Sequence, residues 1–462
     1  MSRIAVFGGS FNPPGLHHRH IAELLAAHFD EVVVVPCGPR PDKDTTNDID
    51  PIHRAAMADI AFRDIPNVRV DLFDLEQQTF TRTHELNEWY RDEGEVWHVV
   101  GTQLTALGGD GDSRIHKFWD QGDSLWNEGR FAVIARPGET PDPEHLPPCH
   151  EIFQMETVGS SAEVRELLFK RQPYRQLVPD DVARYISRYG LYRGRLPNRA
   201  TKDLLDQPRL WIVHNEWSDD AIRIADRFRE WEVESNPNAI LVVGGDGTML
   251  RAIRQHWRLR LPFVGINAGH LGFLLNDADL FTDFHSQVLT RRQCPLLYVE
   301  FELEDGTRAS GLAFNDAWVE RATSQTAWLE VTIGGAVRMQ RMIGDGLLAC
   351  TAQGSTAYAR AMGAAPLLAD TEAWMIVGSN VLYPEGWKSG LLSPTATVSF
   401  RCLDCAKRPL VGYVDGVSFG RVKAMHTRVS RIAAAELAFL PEHDMADKIA
   451  RIQFPPSLPF AK

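Results

Sequence analysis

The chain has 462 residues, of which 44% are hydrophobic and 24% charged, and it carries a formal net charge of −12. That composition is globular rather than disordered, the length points to two or three domains, and the acidic balance argues against nucleic acid as the main partner. No apolar run approaches the roughly 18 to 20 residues of a bilayer-crossing helix, so no membrane partner is expected.

The opening MSRIAVFGGSFNPP enters a short apolar strand without a basic segment and long apolar run before it, unlike a signal peptide. Six cysteines are sparse for this length, and a cytoplasmic, reducing setting is expected. Cys402 and Cys405 form a C-x-x-C with no second pair at zinc spacing, and they read as ordinary thiols.

In chain order, IAVFGG, EVVVVP, VRVDLF, WHVV and FAVIAR are short apolar or β-branched runs bounded by turn residues, hence strands. Amphipathic stretches lie between them, at about residues 18–29, 51–63 and 84–91. Such alternation predicts an α/β domain with a parallel sheet covered on both faces. DDVARYISRYGLYRG comes next as a helix, with Val182, Tyr185, Ile186 and Tyr189 at helical spacing. The polar, proline-bearing stretch around residues 193–209 predicts an interdomain linker. Beyond it lies a second α/β start: RLWIVH as a strand, a helix over 219–231, then the strand AILVVGG. Beyond about residue 298, LYVEFELE, AWLEVTIGG, ATVSFRCL and LVGYVDG alternate as in an antiparallel, β-rich part. The expected boundaries are a first domain over 1–193, a linker over 194–208 and a second domain over 209–436. That second domain divides into an α/β part over 209–297 and a β-rich part over 298–436, with a C-terminal tail over 437–462 to which no role is assigned.

Two strand ends carry chemistry. After IAVFGG come Ser10, Phe11, Asn12, Pro13, Pro14, Gly15, Leu16, His17 and His18, then a helix. Gly8 and Gly9 let backbone N–H groups approach phosphates, the helix N-terminus adds positive charge, and a histidine there can donate to a phosphate as pyrophosphate leaves. Farther on, Ser160 and Ser161 open a second helix, with Arg165 one turn later to meet an anion. In the second half AILVVGG runs into Gly244, Gly245, Asp246, Gly247 and Thr248. A carboxylate between glycines at a strand end is open to a ligand and can take a proton from a sugar hydroxyl. Gly108, Gly109, Asp110 and Gly111 repeat the same four letters with no strand leading in, and they read as a surface turn.

Residues 1 to about 193 resemble a nicotinamide or nicotinate mononucleotide adenylyltransferase. Residues 8–18 resemble that family's GGTFDPxHxGH, and residues 160–165 its SSTxIR. Gly15 and His17 exchange the first histidine and the glycine of H-x-G-H, Ala162 replaces threonine, and Gln103 stands where an aspartate is usual. The resemblance implies a Rossmann-like nucleotidyltransferase fold and adenylyl transfer from ATP, with Mg²⁺ bridging the ATP phosphates. His18 and Arg165 would be the catalytic groups. Gly8, Gly9, Ser10, Phe11, His17, Lys43, Arg54, Gly101, Thr102, Trp119, Arg136, Ser160 and Ser161 would bind ATP or the mononucleotide.

Residues 209 to about 436 resemble an NAD kinase, with GGDGT at 244–248, NAGHLGFL at 267–274, Asn315-Asp316 for Asn-Glu, Asp345-Gly346, TAQGSTAY at 351–358 and Asp415-Gly416. The resemblance implies an α/β domain with a β-rich subdomain that phosphorylates the adenosine-ribose 2′-hydroxyl of NAD, with Asp246 as base. Gly245, Gly247, Thr248, Asn267, Asn315, Asp316, Asp345, Thr356, Ala357 and Tyr358 would bind NAD, and a homo-oligomer through this domain is implied. The expected protein is thus bifunctional: ATP and the mononucleotide give NAD or its deamido form, and NAD gives NADP. Two other readings stay open, a kinase with an impaired, regulatory first half and a non-catalytic NAD(P) sensor.

Overall fold

A computed structural model describes residues 1–41, 48–194, 200–205, 207–269, 272–279, 281, 284, 288–443 and 445–454. The chain divides into two compact units, Met1–Asn198 and Arg199–Lys462. Among the described residues no helix is long and apolar enough to cross a membrane.

The first unit is built on β1 (Arg3–Gly9), β2 (Glu31–Pro36), β3 (Val68–Val70), β4 (Glu95–Gly101), β5 (Phe131–Ala135) and β6 (His150–Gln154). They form a sheet in the order β3-β2-β1-β4-β5-β6, and every pairing is parallel. The central strands are apolar along their length because helices cover both faces; Val32 to Val35 and Phe131 to Ala135 are all buried. The strand order reverses between β1 and β4, and the carboxyl ends of strands at such a reversal border a crevice. Around the sheet, the helix Pro51–Phe62 packs on the helix Asp180–Tyr189, where His53 Nδ1 lies 2.9 Å from the Tyr185 hydroxyl. Val182, Tyr185, Ile186 and Tyr189 are buried, as their spacing predicts.

The second unit starts as parallel β: β7 (Ala200–Leu204) lies at an edge, while β8 (Leu210–His214), β9 (Ala239–Gly244) and β10 (Pro262–Asn267) run side by side. Beyond them the sheet is antiparallel. Its organising strands are Val288–Leu303 and Val417–Phe439, which pair with each other over most of their length. The first residues of Val417–Phe439 belong to a core with Leu297, Phe301, Val331 and Phe400. Its last residues run parallel to β10 and belong to a second core with Ile240, Met249 and Phe263.

Three expectations about organisation change. The linker is shorter than 194–208, since Ala200–Leu204 pairs antiparallel with residues 288–292. Only one side of an edge strand is hydrogen-bonded, so a polar string such as ATKDL can occupy it without apolar alternation. The boundary at 297/298 falls inside the strand Val288–Leu303, so the α/β and β-rich parts share their longest strands. Finally, residues 437–439 belong to a strand and Met445–Gln453 is a helix, so 437–462 is not merely a tail.

Expressed alone, residues 199–462 should melt above residues 209–462. The shorter fragment lacks β7 and loses roughly 2 to 4 kcal/mol, at about 1 kcal/mol per ladder hydrogen bond. Equal melting temperatures by calorimetry would show that the strand adds nothing to the unit.

Candidate functional site

In the first unit β1 ends at Gly9, and the chain turns through Ser10 to Pro14 before the helix Leu16–Ala26. Phe11 adopts φ 43° and buries its ring edge-on to Phe62 and His18, at 5.6 and 5.0 Å, which fixes the turn. Gly15 has no side chain to cap the helix, and its N–H donates to His18 Nδ1 at 3.0 Å instead. An imidazole accepting at Nδ1 carries its proton on Nε2, so His18 is a donor at a helix N-terminus. A Cβ on Gly15 would lie 2.7 Å from His17 Cε1 and Nδ1, and one on Gly159 would lie 2.4 Å from His17 Nδ1. The His17 ring therefore fills the space that side chains at 15 and 159 would need. Burial, and then the charge of His20, lower the His17 pKa to about 4, leaving it neutral.

Ser161 and Arg165 join this turn from 148 and 153 residues away: Ser161 Oγ donates to the Pro13 carbonyl at 2.8 Å and Arg165 Nη1 to the Asn12 carbonyl at 2.6 Å. Ser160 Oγ caps the helix Ser161–Phe169 by accepting the Ala162 N–H at 3.2 Å. Arg54 is buried, and its Nη2 donates to the Ser10 carbonyl at 2.6 Å and the Cys37 carbonyl at 2.7 Å. It ties the turn to the end of β2 from inside rather than standing open to a phosphate. Lys43 lies outside the described residues.

Beside the carboxyl end of β1 is a cavity of about 520 Å³, walled in part by Gly8, Gly9, Asp74, His98, Phe118 and Trp119. Ser10 Oγ and Thr102 Oγ1, at the ends of β1 and β4, are buried with no hydrogen-bond partner among the described residues, as is His98 Nε2. Of the three residues only His98 belongs to the cavity wall, and an unpaired buried nitrogen there suits a polar ligand better than packing. Gly101 closes β4 just before Thr102. Arg136, like Ser10, Gly101 and Thr102, is not part of the cavity wall, and it is exposed on the turn after β5. Asp74 was not anticipated. It accepts from Thr79 Oγ1 at 2.9 Å and Thr81 Oγ1 at 2.7 Å, and burial raises its pKa despite those bonds. Nothing in FDLEQQTF sets that aspartate apart from its acidic neighbours.

In the second unit, the fully buried β9 delivers Asp246 to the first position of the helix Asp246–His256, capped by Gly245. Asp246 Oδ2 accepts the Phe273 N–H at 3.1 Å and Oδ1 the Leu274 N–H at 3.0 Å. Burial raises its pKa from the ordinary aspartate value, while these amides and the Lys448 charge pull it back. A Cβ on Gly245 or Gly247 meets nothing within 4 Å, so space lies open beside the carboxylate. A Cβ on Gly244 would strike Thr248 Oγ1 at 2.5 Å, which explains that glycine by packing. Asn267 folds the adjoining loop, with Oδ1 accepting the Gly269 N–H at 3.0 Å.

Facing the second turn of that helix through Leu250 is a pocket of about 390 Å³ walled by Asn315, Asp316, Trp318, Ala357, Tyr358 and Asp415. Asp415 accepts the N–H groups of Phe314, Asn315 and Asp316 at 2.7, 2.9 and 3.1 Å and so shapes the Asn-Asp turn. Burial, and then the Asp415 charge, raise the Asp316 pKa to about 7. Asn315 Oδ1 is buried without a partner among the described residues. Tyr358 and Trp318 meet edge-on at 5.2 Å, and Trp318 stacks on Tyr413 at 4.8 Å. Thr356 turns its hydroxyl to the Gln353 carbonyl at 3.2 Å and shapes the bend before Tyr358. Asp345 is not part of the pocket wall, although its charge reaches Tyr358: Arg321 Nε holds it at 2.6 Å and Asn380 Nδ2 at 2.7 Å. Trp318, Leu250 and Lys448 were not anticipated, because their contacts arise from tertiary folding rather than a motif.

The cytidylyltransferase-like family model matches residues 6–169, and the model of the ATP-NAD kinase N-terminal domain matches residues 198–282. The NAD kinase of Rickettsia felis is 32% identical over 219 residues, covering 47% of this chain and 85% of that protein. That of Rickettsia bellii is 29% identical over 254 residues, covering 54% of this chain and 99% of its own length. The crystal structure of yeast NADH kinase complexed with NADH matches with a TM-score of 0.46 at 15% identity, covering 55% of this chain and 89% of that one. With a cytidylyltransferase-like unit ahead of it, the second unit places this chain in the NAD kinase family.

Proposed function

We propose that the first unit joins ATP to nicotinamide or nicotinate mononucleotide, and that the second phosphorylates the resulting NAD. The observation that carries the second step is the Asp246 carboxylate, oriented by two amides beside open glycines. In that step Asp246 takes the proton of the adenosine-ribose 2′-hydroxyl, the oxygen attacks the γ-phosphorus of ATP, and ADP leaves. Asn315, Asp316 and Tyr358 hold the dinucleotide. In the first step the 5′-phosphate of the mononucleotide attacks the α-phosphorus of ATP and pyrophosphate departs, with the His18 Nε2–H and Arg165 stabilising the charge. Mg²⁺ would enter on the ATP phosphates and neutralise charge there; no side chain is assigned to it. A kinase with an impaired first unit draws support from Gly15 and Gln103, two departures from the adenylyltransferase pattern. Feeding the protein mononucleotide, ATP and Mg²⁺ separates the readings: NAD and then NADP supports two enzymes, and no NAD supports the impaired unit.

His18→Ala should lower kcat for adenylyl transfer by about 10²-fold, the scale of one lost transition-state donor, and His17→Ala by much less. The reverse ranking would place the donor one residue earlier.

Asp246→Asn keeps the shape of the carboxylate but cannot take the proton. NADP formation should fall by roughly 10²- to 10⁴-fold while NAD accumulates, read by chromatography of the products. Normal NADP output would remove Asp246 from the base role, and loss of NAD synthesis as well would show that the two activities are not independent.

Asp316 gives a stability test with a defined sign. Its folded pKa, about 7, lies above its unfolded value, so its contribution is fully present below the unfolded pKa and is lost as pH rises to about 7. Asp316→Asn should therefore stabilise the protein at pH 8 by roughly 2 to 4 kcal/mol, with the gain shrinking toward pH 4, while weakening NAD binding. A melting temperature shifted equally at both pH values would contradict a buried, titrating carboxyl.

A further inference from the structure

The helix Met445–Gln453 places one cation inside the second unit. Lys448 is 8% exposed, and its Nζ donates to the Gly272 carbonyl at 3.1 Å, the Leu275 carbonyl at 3.2 Å and Asp277 Oδ1 at 3.0 Å. An ammonium has three donors, and here each meets an oxygen. Gly272 and Leu275 flank Phe273 and Leu274, the two residues whose amides hold Asp246. The far end of the loop is tied separately: Asn276 Nδ2 donates to the Gly265 carbonyl at 2.8 Å, and Asn276 Oδ1 accepts the Leu440 N–H at 2.8 Å. Lys448 thus binds both shoulders of the segment that orients the carboxylate, from 176 residues away.

We propose that Lys448 is a positioning residue for phosphoryl transfer, clamping the 272–277 loop so that its amides keep the Asp246 carboxylate aimed at the acceptor hydroxyl. This rests on Asp246 being the base. The ammonium does not touch substrate; it acts through the loop and through its charge. A carboxylate that loses two aligned amides is free to rotate, and small misplacements at a reacting centre cost large factors in rate. The charges involved are Asp246 on its helix, Asp277 on the loop and Lys448 on the C-terminal helix. Lys448 favours the ionised form of Asp246, so its removal should push the Asp246 pKa higher still.

The test uses the full chain with Lys448→Gln, Lys448→Met and Lys448→Arg, measured for NAD phosphorylation across pH. Lys448→Gln keeps an amide donor for the carbonyls, so it carries the test if Lys448→Met does not fold. The expected result is a kcat lower by roughly tenfold to a hundredfold with KM for NAD nearly unchanged. The acid limb of the pH profile should move to higher pH in Lys448→Gln, and Lys448→Arg should restore most of the rate and the limb. Hydrogen exchange of the peptide spanning 272–277 should quicken in Lys448→Gln. A folded Lys448→Gln with wild-type kcat and an unmoved acid limb would overturn the proposal, as would a loss that Lys448→Arg shares in full with no change in pH profile. Asp246→Asn run in parallel separates the two levels. If it is inactive while Lys448→Gln is normal, only the positioning role fails; if it retains full rate, the base assignment fails and the positioning role falls with it.

Discussion

Both oxygens of Asp246 are occupied by the Phe273 and Leu274 amides, and the place of those two N–H groups depends on the segment that Asn276 and Lys448 hold. The carboxylate stands at the first position of a helix, where partial positive charge favours its ionised form, yet burial works against that form. Its elevated pKa records that burial prevails, which suits a group that must receive a proton. Around it, Gly244 makes room for Thr248, Asn267 folds the adjoining loop, and Asn276 and Lys448 anchor the segment that carries the two amides. Gly245 and Gly247 have no packing reason to be glycine, and they leave the approach to Asp246 open.

The other buried carboxylates of this unit divide the same way between building and binding. Asp415 spends its oxygens on three successive amides and thereby holds the turn that carries Asn315 and Asp316. Asp316 has no side-chain hydrogen bond among the described residues, and its charge faces that of Asp415 at close quarters. A group so placed costs stability near neutral pH, and such a cost persists where the group serves a ligand. Asp345, by contrast, is paired with Arg321 and Asn380.

How much was legible in the sequence depends on the range of each interaction. Parallel strands, the helix at 180–189 and the glycine-ended turns at Gly9 and Gly245 are written locally, in period and in turn residues. Where Arg54, Arg136 and Asp345 point is not written locally: the family resemblances implied ligand contacts for them, and the fold gives Arg54 and Asp345 protein partners and leaves Arg136 exposed. Asp74 and Lys448 were missed for the complementary reason: a buried aspartate and a lysine look like surface charges until distant chain closes over them. The strand Ala200–Leu204 was hidden because an edge strand needs only its backbone.

The two GGDG strings in this chain show what separates a motif from its letters. At Gly108 a Cβ would meet the Trp126 ring at 2.0 Å, and at Gly109 it would meet the Glu144 carbonyl at 2.3 Å. Those glycines are required by neighbouring protein, the segment is a short 3₁₀ turn, and Asp110 is exposed at its end. At Gly245, the counterpart of Gly109, the same added atom meets nothing, whereas Gly244 is blocked like Gly108 and Gly247 is open like Gly111; a buried parallel strand leads in, and the aspartate is gripped by two amides. Protein packing accounts for Gly109 and leaves its counterpart Gly245 unexplained. Glycines that packing does not require, beside a carboxylate that packing has oriented, are what a site for an incoming group needs, because the missing side chains become the room that group occupies. Gly15 obeys the opposite logic: its vacancy is already filled by the His17 ring, so the donor at that helix end is left to His18.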